Sequence, residues 1–508
     1  MLKLSNSSIK YLKKIEKLMM RPSINFLNDP LIKQIISEAR EILKKIGVHI
    51  HNNEVLALLA DHGAVVDTTK KHVFFKDQLI DQSLNSAQRA FKLYNIYGIE
   101  THHFTNDNVY FTPGSAALNI LDYQSGKMRK PVTEDYIKYV KVINQLTYIQ
   151  SQSTAFIPAD VHENISDSYR LFLSLLFGEK PVVTGTFTID SFNVMKELQL
   201  AVRGSEKELA DKPLTIFSCC PTSPLKWSEV TSQNVVDCSR QMIPIEFISM
   251  PLSGFMAPVS LVGTLVQHTA ETLSGIVISQ LANPGAPFLY GGSPAIFDVR
   301  YETTPMGAIE TMMIDCAYNE IGKFLDLPTQ AYISLSDAKQ LDAQAGIESG
   351  MGATLAALSG INNISGPGML DFESCQSLEK LVLDNEICGM TVRLLQGIEP
   401  REDFPALPIF QELIKEQHLL ISKHTRKYLK SELSFPSRVI DRANRGRWEK
   451  EGGLTLGERA AQEIIKHLDN YKPSEIADTV KHDMINLMKA EARRHGQDKL
   501  PDYGDLGF

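Results

Sequence analysis

From about Asn108 onward, short runs of β-branched and aromatic residues alternate with longer segments whose apolar positions recur every three or four residues. A period of two that gives way to a period near 3.6, again and again, is the pattern of parallel βα units. Eight strand-like runs are present: VYFT (109–112), YIQSQST (148–154), PVVTGT (181–186), LTIFSC (214–219), PIEFISM (244–250), PFLYGG (287–292), AYISL (331–335) and INNISG (361–366). The helices predicted between and after them cover 133–143, 168–177, 192–202, 228–240, 260–281, 305–325, 345–358 and 374–395. Eight strands, each followed by a helix, is the count of a closed (β/α)8 TIM barrel, so the predicted class is α/β. An open dinucleotide-binding sheet would carry a GxGxxG turn after its first strand, and none follows Thr112.

Ahead of the barrel, Asp29-Pro30 reads as the N-cap and first position of a helix that runs to Ile46 and stops at Gly47. The predicted organisation is a mostly helical N-terminal lead-in (1–105), a barrel domain (106–400) and a charged C-terminal helical extension (401–508). The extension would cover the barrel or another subunit.

Composition narrows the function classes. The chain has 508 residues, 43% apolar and 22% charged, with a formal net charge of -8 and a pI near 5.9. That balance gives no electrostatic reason to expect nucleic acid or an anionic membrane. The six cysteines (Cys219, Cys220, Cys238, Cys316, Cys375, Cys388) form no CxxC pair, as expected of reduced thiols in a cytoplasmic protein. The lysine-rich first 23 residues do not read as a secretory signal. The most apolar helix, 260–281, is interrupted by Gln267, His268, Glu271 and Gln280, so it reads as a packed core helix rather than a membrane span.

Barrel chemistry comes from strand C-termini and the loops after them. The sixth strand runs into YGGSPAIFDVRYETTPMG, where Tyr290, Phe297, Asp298, Arg300 and Tyr301 make either an aromatic plug or a binding wall. After the seventh come Ser336, Asp337, Lys339, Asp342 and Gln344, then Glu348. Singly, these residues read as helix caps and ion pairs; as a cluster at a strand end they read as a site. The Gly366–Gly368 turn after the eighth strand could hold phosphate through backbone amides, but it has no lysine or arginine. Histidines show no metal-binding spacing, so no protein-bound metal is expected. Cys219 is a possible nucleophile without a local motif. Glu246 is the most telling lone carboxylate: inside an apolar strand it needs either an internal partner or a cation.

Three long stretches carry a family resemblance: MPLSGFMAPVSLVGTLVQHTAETLSGIVISQLANPGAPFLYGG, TTPMGAIETMMIDCAYNEIGKFLDLPT and the run from Ser336 to Met390. They resemble the trimethylamine methyltransferase family, whose members pass a methyl group from a methylated amine to a corrinoid protein. Its founding enzymes hold a pyrrolysine in or near the strand-seven loop. This chain has only standard residues there, for example Gln344, which points to the group without pyrrolysine that demethylates quaternary amines such as glycine betaine.

What the resemblance implies is a barrel enzyme that moves a methyl group from a quaternary, betaine-type amine to Co(I) of cobalamin. The cobalamin would sit on a separate corrinoid protein docked at the barrel mouth, with no cofactor bound by this chain itself. Asp337, Asp342 and Gln344 are then the candidate catalytic residues. Phe187, Phe255, Tyr290, Phe297 and Phe372 would cage the cation, with Glu246 or the aspartates as counter-charge, and Arg300 or Lys339 would hold a substrate carboxylate. A homo-oligomer is expected. The alternatives are a trimethylamine-type tertiary amine methyltransferase and a non-catalytic betaine-binding or regulatory protein on the same barrel.

Overall fold

The computed structural model describes residues 21–503. The first 20 residues, where a secretory signal was sought, lie outside the described residues.

Eight short parallel strands form the barrel wall: β1 (Tyr110–Thr112), β2 (Gln152–Ser153), β3 (Val182–Thr184), β4 (Thr215–Cys219), β5 (Ile245–Phe247), β6 (Phe288–Leu289), β7 (Gln330–Tyr332) and β8 (Asn363–Ser365). Strands β2 to β6 pair in order, and β7 pairs with β8 and β8 with β1. Two seams close the ring. Between β6 and β7, Tyr290 N donates to Pro328 O at 2.8 Å and Gln330 N to Tyr290 O at 3.1 Å; between β1 and β2, Gln150 N donates to Phe111 O at 3.0 Å.

The outer helices are α1 (Thr133–Ile143), α2 (Ser166–Phe177), α3 (Ser191–Arg203), α4 (Glu229–Arg240), α5 (Leu261–Ala282), α6 (Ile309–Phe324), α7 (Ala343–Ser359) and α8 (Leu378–Leu395). Helix α5 is buried from Thr264 to Gln280 apart from Val266, because the N-terminal helix Asp29–Lys45 covers its outer face with Ile32, Ile35, Ile36, Ala39 and Leu43. The cap of that outer helix lies one residue earlier than the Asp29-Pro30 pair suggested: the Asn28 side chain accepts from Leu31 N at 3.0 Å. Its end is at Gly47, where φ is +77° and a Cβ would lie 2.4 Å from Val73 O, so only glycine fits.

Among the described residues, the segment before the barrel carries three helices and five strands of three to five residues. Such short strands complete too few alternations to register in the sequence pattern. The hairpin Phe91–Tyr94 with Glu100–Phe104 fixes the position of the site. Its Phe91, Leu93 and Phe104 pack against Tyr110, Val183, Ile216 and Leu289 of β1, β3, β4 and β6, plugging the N-terminal end of the barrel with a dry floor.

After the barrel, helix Leu456–Asp469 packs on α8 and α1, and helix Asp478–Arg494 on α3 and α2. Helices Leu407–Glu416 and Lys423–Glu432 bury none of their residues. No helix among the described residues is long and apolar enough to cross a membrane.

If the hairpin is the barrel's floor, Phe104→Ala, which truncates a fully buried ring, costs about 3–5 kcal/mol. Thermal or urea unfolding checks this, and an unchanged midpoint would show that the hairpin does not hold the barrel end.

Candidate active site

Above the floor the barrel interior turns polar. Side chains two positions further along a strand point the same way, so Thr112, Gly185, Ser218 and Gly291 form the next layer over Tyr110, Val183, Ile216 and Leu289. Hydrogen bonds tie Glu246 into this layer. Ser218 Oγ donates to its Oε1 at 2.7 Å and Asn363 Nδ2 to its Oε2 at 3.2 Å, and Thr112 Oγ1 donates to Asn363 Oδ1 at 2.8 Å. Glu246 is fully buried, and burial pushes its carboxyl up to about 7 against the pull of those two donors. No cationic side chain among the described residues contributes to holding it ionised.

Strand β7 turns Gln330 and Tyr332 to one side. Gln330 Oε1 accepts from Gly292 N at 3.2 Å and would be 2.4 Å from a Cβ at Gly291, so glycine there makes room for the amide. Its buried Nε2 makes no hydrogen bond within the described residues. The Tyr332 hydroxyl pairs with Ser115 Oγ at 2.8 Å; burial, then the carboxyls of Glu246 and Glu373, push the phenol well up. Glu373 lies in a turn of three consecutive left-handed residues without glycine: Asp371 (φ 49°), Phe372 (56°) and Glu373 (66°). Each such position costs roughly 1–2 kcal/mol and persists only where the surroundings over-determine it. Asp371 supplies part of that restraint, accepting from Ser374 Oγ at 2.6 Å and pairing with Lys339 at 3.3 Å. Glu373 Oε1 is buried without a hydrogen-bond partner, and burial, followed by the nearby Asp337, raises its carboxyl to about 8.

Above this layer the strand-seven loop organises the mouth. Asp337 accepts from Met306 N at 3.0 Å and Gly307 N at 2.8 Å, tying down the loop before α6; burial first, then Glu348, lift it to about 6 against those bonds. Glu348 accepts from Ser336 Oγ at 2.6 Å and Asp337 N at 2.8 Å, and Gln344 donates to its other oxygen at 2.9 Å. A cleft of about 470 Å³ brings together eight of the residues singled out from sequence, among them the catalytic or substrate-binding candidates Asp337, Lys339, Gln344, Arg300 and Phe372.

Other sequence candidates lie elsewhere. Asp342 caps α7, accepting from Gln344 N and Ala345 N, which is a structural position. Tyr290 faces away from the interior, fully buried between α5 and α6, where its hydroxyl meets Thr269 at 3.2 Å and its ring lies against His268 and Tyr318; alternation puts it on the opposite face from Leu289. Phe255 and Phe297 stack on each other at the rim, 4.7 Å apart. Phe187 carries the Arg170 guanidinium 4.8 Å from its ring centre, and Phe372 the Lys339 ammonium at 3.7 Å. The five aromatics therefore do not form one cage. Arg300 is engaged by Asp298 through Nε at 3.0 Å, and Lys339 also donates to Asp337 O at 2.6 Å. Cys219 packs against Asn234 of α4, and burial holds its thiol well above the range of a nucleophile. Among the described residues no group of three or more His, Cys, Asp or Glu could hold a metal ion.

The model of the trimethylamine methyltransferase (MTTB) family matches residues 4–496. The chain belongs to this family. Trimethylamine methyltransferase MttB of Methanosarcina thermophila is 30% identical over 476 residues, covering 91% of this chain and 96% of that one. Glycine betaine methyltransferase of Desulfitobacterium hafniense is 28% identical over 454 residues, covering 89% and 94%. Among solved structures, the Methanosarcina barkeri monomethylamine methyltransferase (MtmB) superposes with a TM-score of 0.51 at 12% identity, over 90% of this chain and 92% of that one, a likeness of fold. As a family member the chain is a methyltransferase.

In this methyltransferase the interior side chains that sequence reasoning missed are Gln330, Tyr332 and Glu373. Strand seven was read from Ala331, one residue late, so Gln330 fell outside it. Nothing in DFESC announces a left-handed turn, since glycine is absent from it.

Glu373→Gly relieves both a carboxyl oxygen buried without a partner and a left-handed backbone. It is expected to raise the melting temperature while lowering methyl transfer more than about tenfold, because strain retained at a site is part of its working geometry. A destabilised variant with full activity would contradict this assignment.

Proposed function

We infer that this methyltransferase takes a methyl group from a quaternary, betaine-type amine and delivers it to the Co(I) of a corrinoid carried by a separate protein. The observation that carries the reading is the uncompensated acidic interior. Glu246, Glu373 and Asp337 converge beneath the mouth with Tyr332 beside them; among the described residues no lysine or arginine acts on Glu246 or Glu373, and Asp337 feels only Lys339, which is itself paired with Asp371. A fixed cation that cannot donate a hydrogen bond fits that environment: it supplies the missing charge and needs no acceptor of its own.

The chemistry agrees with a quaternary donor. The corrinoid supplies a nucleophile whose electron pair forms the new bond to the methyl carbon as the C–N bond breaks. The C–N pair stays on nitrogen as a neutral tertiary amine, so the leaving group needs no proton. What the protein contributes is in-line placement and exclusion of water. A tertiary amine would first need a proton or a covalent activator, and this chain has standard residues throughout. The relative named glycine betaine methyltransferase supports a betaine, while those named trimethylamine methyltransferase make trimethylamine the competitor to test. An exposed apolar rim at the mouth, including Phe255, Val259, Val299, Tyr301 and Ile309, suits a protein partner there.

The deciding experiment mixes the protein with reduced cobalamin, free or on a corrinoid protein, and a panel of quaternary amines plus trimethylamine, following loss of the reduced-corrinoid absorbance. The expected result is turnover with one quaternary amine and none with trimethylamine; turnover with trimethylamine alone would overturn the substrate class.

The pH dependence has a definite sign. A bound cation favours ionised carboxylates, so binding expels protons from groups raised to about 7 (Glu246) and about 8 (Glu373). Affinity for a betaine should therefore climb from pH 6 to 8, by about tenfold per pH unit for each proton released, and level off above. Calorimetry on Glu246→Gln should show a slope shallower by one proton. An affinity independent of pH in the native chain would contradict the acidic site.

A further inference from the structure

The Gly366–Gly368 turn after β8 has no basic residue of its own, yet folding brings one within a single hydrogen bond of it. Lys380, in the first turn of α8, pairs with Asp384 at 2.5 Å, and both side chains are fully buried. The same Asp384 Oδ2 accepts from Gly368 N at 2.6 Å, and Lys380 Nζ also donates to Ser349 Oγ of α7 at 2.7 Å. Gly368 is left-handed (φ 86°), and a Cβ there would lie 2.5 Å from Gln376 Oε1, so no other residue fits. This glycine is the root of a hairpin. Met369–Leu370 pairs antiparallel with Cys375–Gln376, Ser377 N donates back to Gly368 O at 3.0 Å, and the tip is the left-handed turn that carries Glu373.

We propose that Asp384 and Lys380 are positioning residues for methyl transfer. The carboxylate anchors the hairpin root through Gly368 N, the lysine supplies the charge that lets a carboxylate stand in so dry a place, and Glu373 is thereby presented at a fixed height in the barrel. Two rungs separate root from tip, so a root that slips carries Glu373 with it. Stability alone does not account for the pair, since a buried ion pair is commonly no more stable than apolar side chains of the same volume. What apolar side chains cannot do is accept the amide of Gly368, which would then be buried without a partner. Ser349 widens the anchor. It follows Glu348, which holds Ser336 Oγ and Asp337 N, so the hairpin root and the strand-seven loop are tied to the same turn of α7. The inference rests on the placing of Glu373 in the site and is independent of which methylated amine is the donor.

Two double variants separate the anchor from the charge. Lys380→Met with Asp384→Asn removes both charges and keeps an oxygen for Gly368 N; Lys380→Met with Asp384→Leu removes the oxygen as well. With a methylated amine that the native enzyme turns over, the asparagine version should hold kcat/KM within about threefold of native, and the leucine version should lose more than about tenfold, the scale of a misplaced reacting group. Hydrogen exchange over residues 368–376 should quicken in the leucine version only, which reads the hairpin without turnover. Should the leucine version not fold, Asp384→Glu, which keeps the charge and moves the acceptor by one methylene, must show the same loss of kcat/KM. A pair that served stability alone would shift the melting temperature and leave kcat/KM of the folded protein unchanged in every variant. That result, or equal hairpin exchange in the two double variants, would overturn the proposal while leaving Glu373 in the site; full activity of Glu373→Gly would remove both.

Discussion

The structure is organised around the burial of carboxyl groups that the chain does not neutralise. Glu246 stands in the middle of a strand with an apolar residue on either side, and in the folded barrel it meets a hydroxyl and an amide rather than a cation. Keeping such a group ionised in a dry interior costs several kcal/mol, so it is retained near neutrality at the edge of ionisation. The floor keeps that interior dry: among the described residues Phe91, Leu93 and Phe104 plug one end with apolar side chains, which favours entry of a charged ligand from the opposite mouth. Electrostatics and access thus point the same way, toward a small cation entering from the C-terminal ends of the strands.

The second constraint is rigidity at that mouth. Asp337, Glu348, Ser336 and the amides of Met306 and Gly307 form one connected set of hydrogen bonds that joins the loop after β7 to the loop before α6. Lys339 is held at once by the face of Phe372, by Asp371 and by Asp337 O, which locks the left-handed turn that presents Glu373. A methyl transfer with no proton to move depends on how well donor and acceptor are lined up. A network that spends its charged residues on fixing loops, rather than on acid–base roles, is consistent with the proposed reaction. Asp337 and Lys339, singled out from sequence as chemistry, therefore serve here first as the frame.

Much of the fold was legible in the chain because each barrel strand is a brief apolar run set between turn residues. All eight runs contain or overlap a strand of the structure, and the helices between them begin and end within a few residues of the predicted bounds. Glu246 was legible for a local reason: a charge inside an apolar strand has few explanations. The inward side of β7 was not, since a strand start one residue out drops Gln330. The direction of Tyr290 follows from alternation alone, and it was misassigned because a strand end was treated as though every residue there faced the mouth. Glu373 was invisible because a left-handed turn built without glycine leaves no mark in composition; its support comes from Lys339, which is distant in sequence. The expected aromatic cage likewise depended on which rings already carry a protein cation, information present only in the packing of Arg170 on Phe187 and Lys339 on Phe372.

The central claim is that fixed positive charge, rather than shape, is what the barrel interior recognises. The most direct test is calorimetric titration with glycine betaine against its uncharged-head isostere, 3,3-dimethylbutanoate, in which a tert-butyl group replaces the trimethylammonium. The account predicts that betaine binds about 100-fold or more tightly, the scale of a desolvated charge pair. Equal binding of the two would show that the pocket reads an apolar head, and the acidic interior would lose its role in recognition.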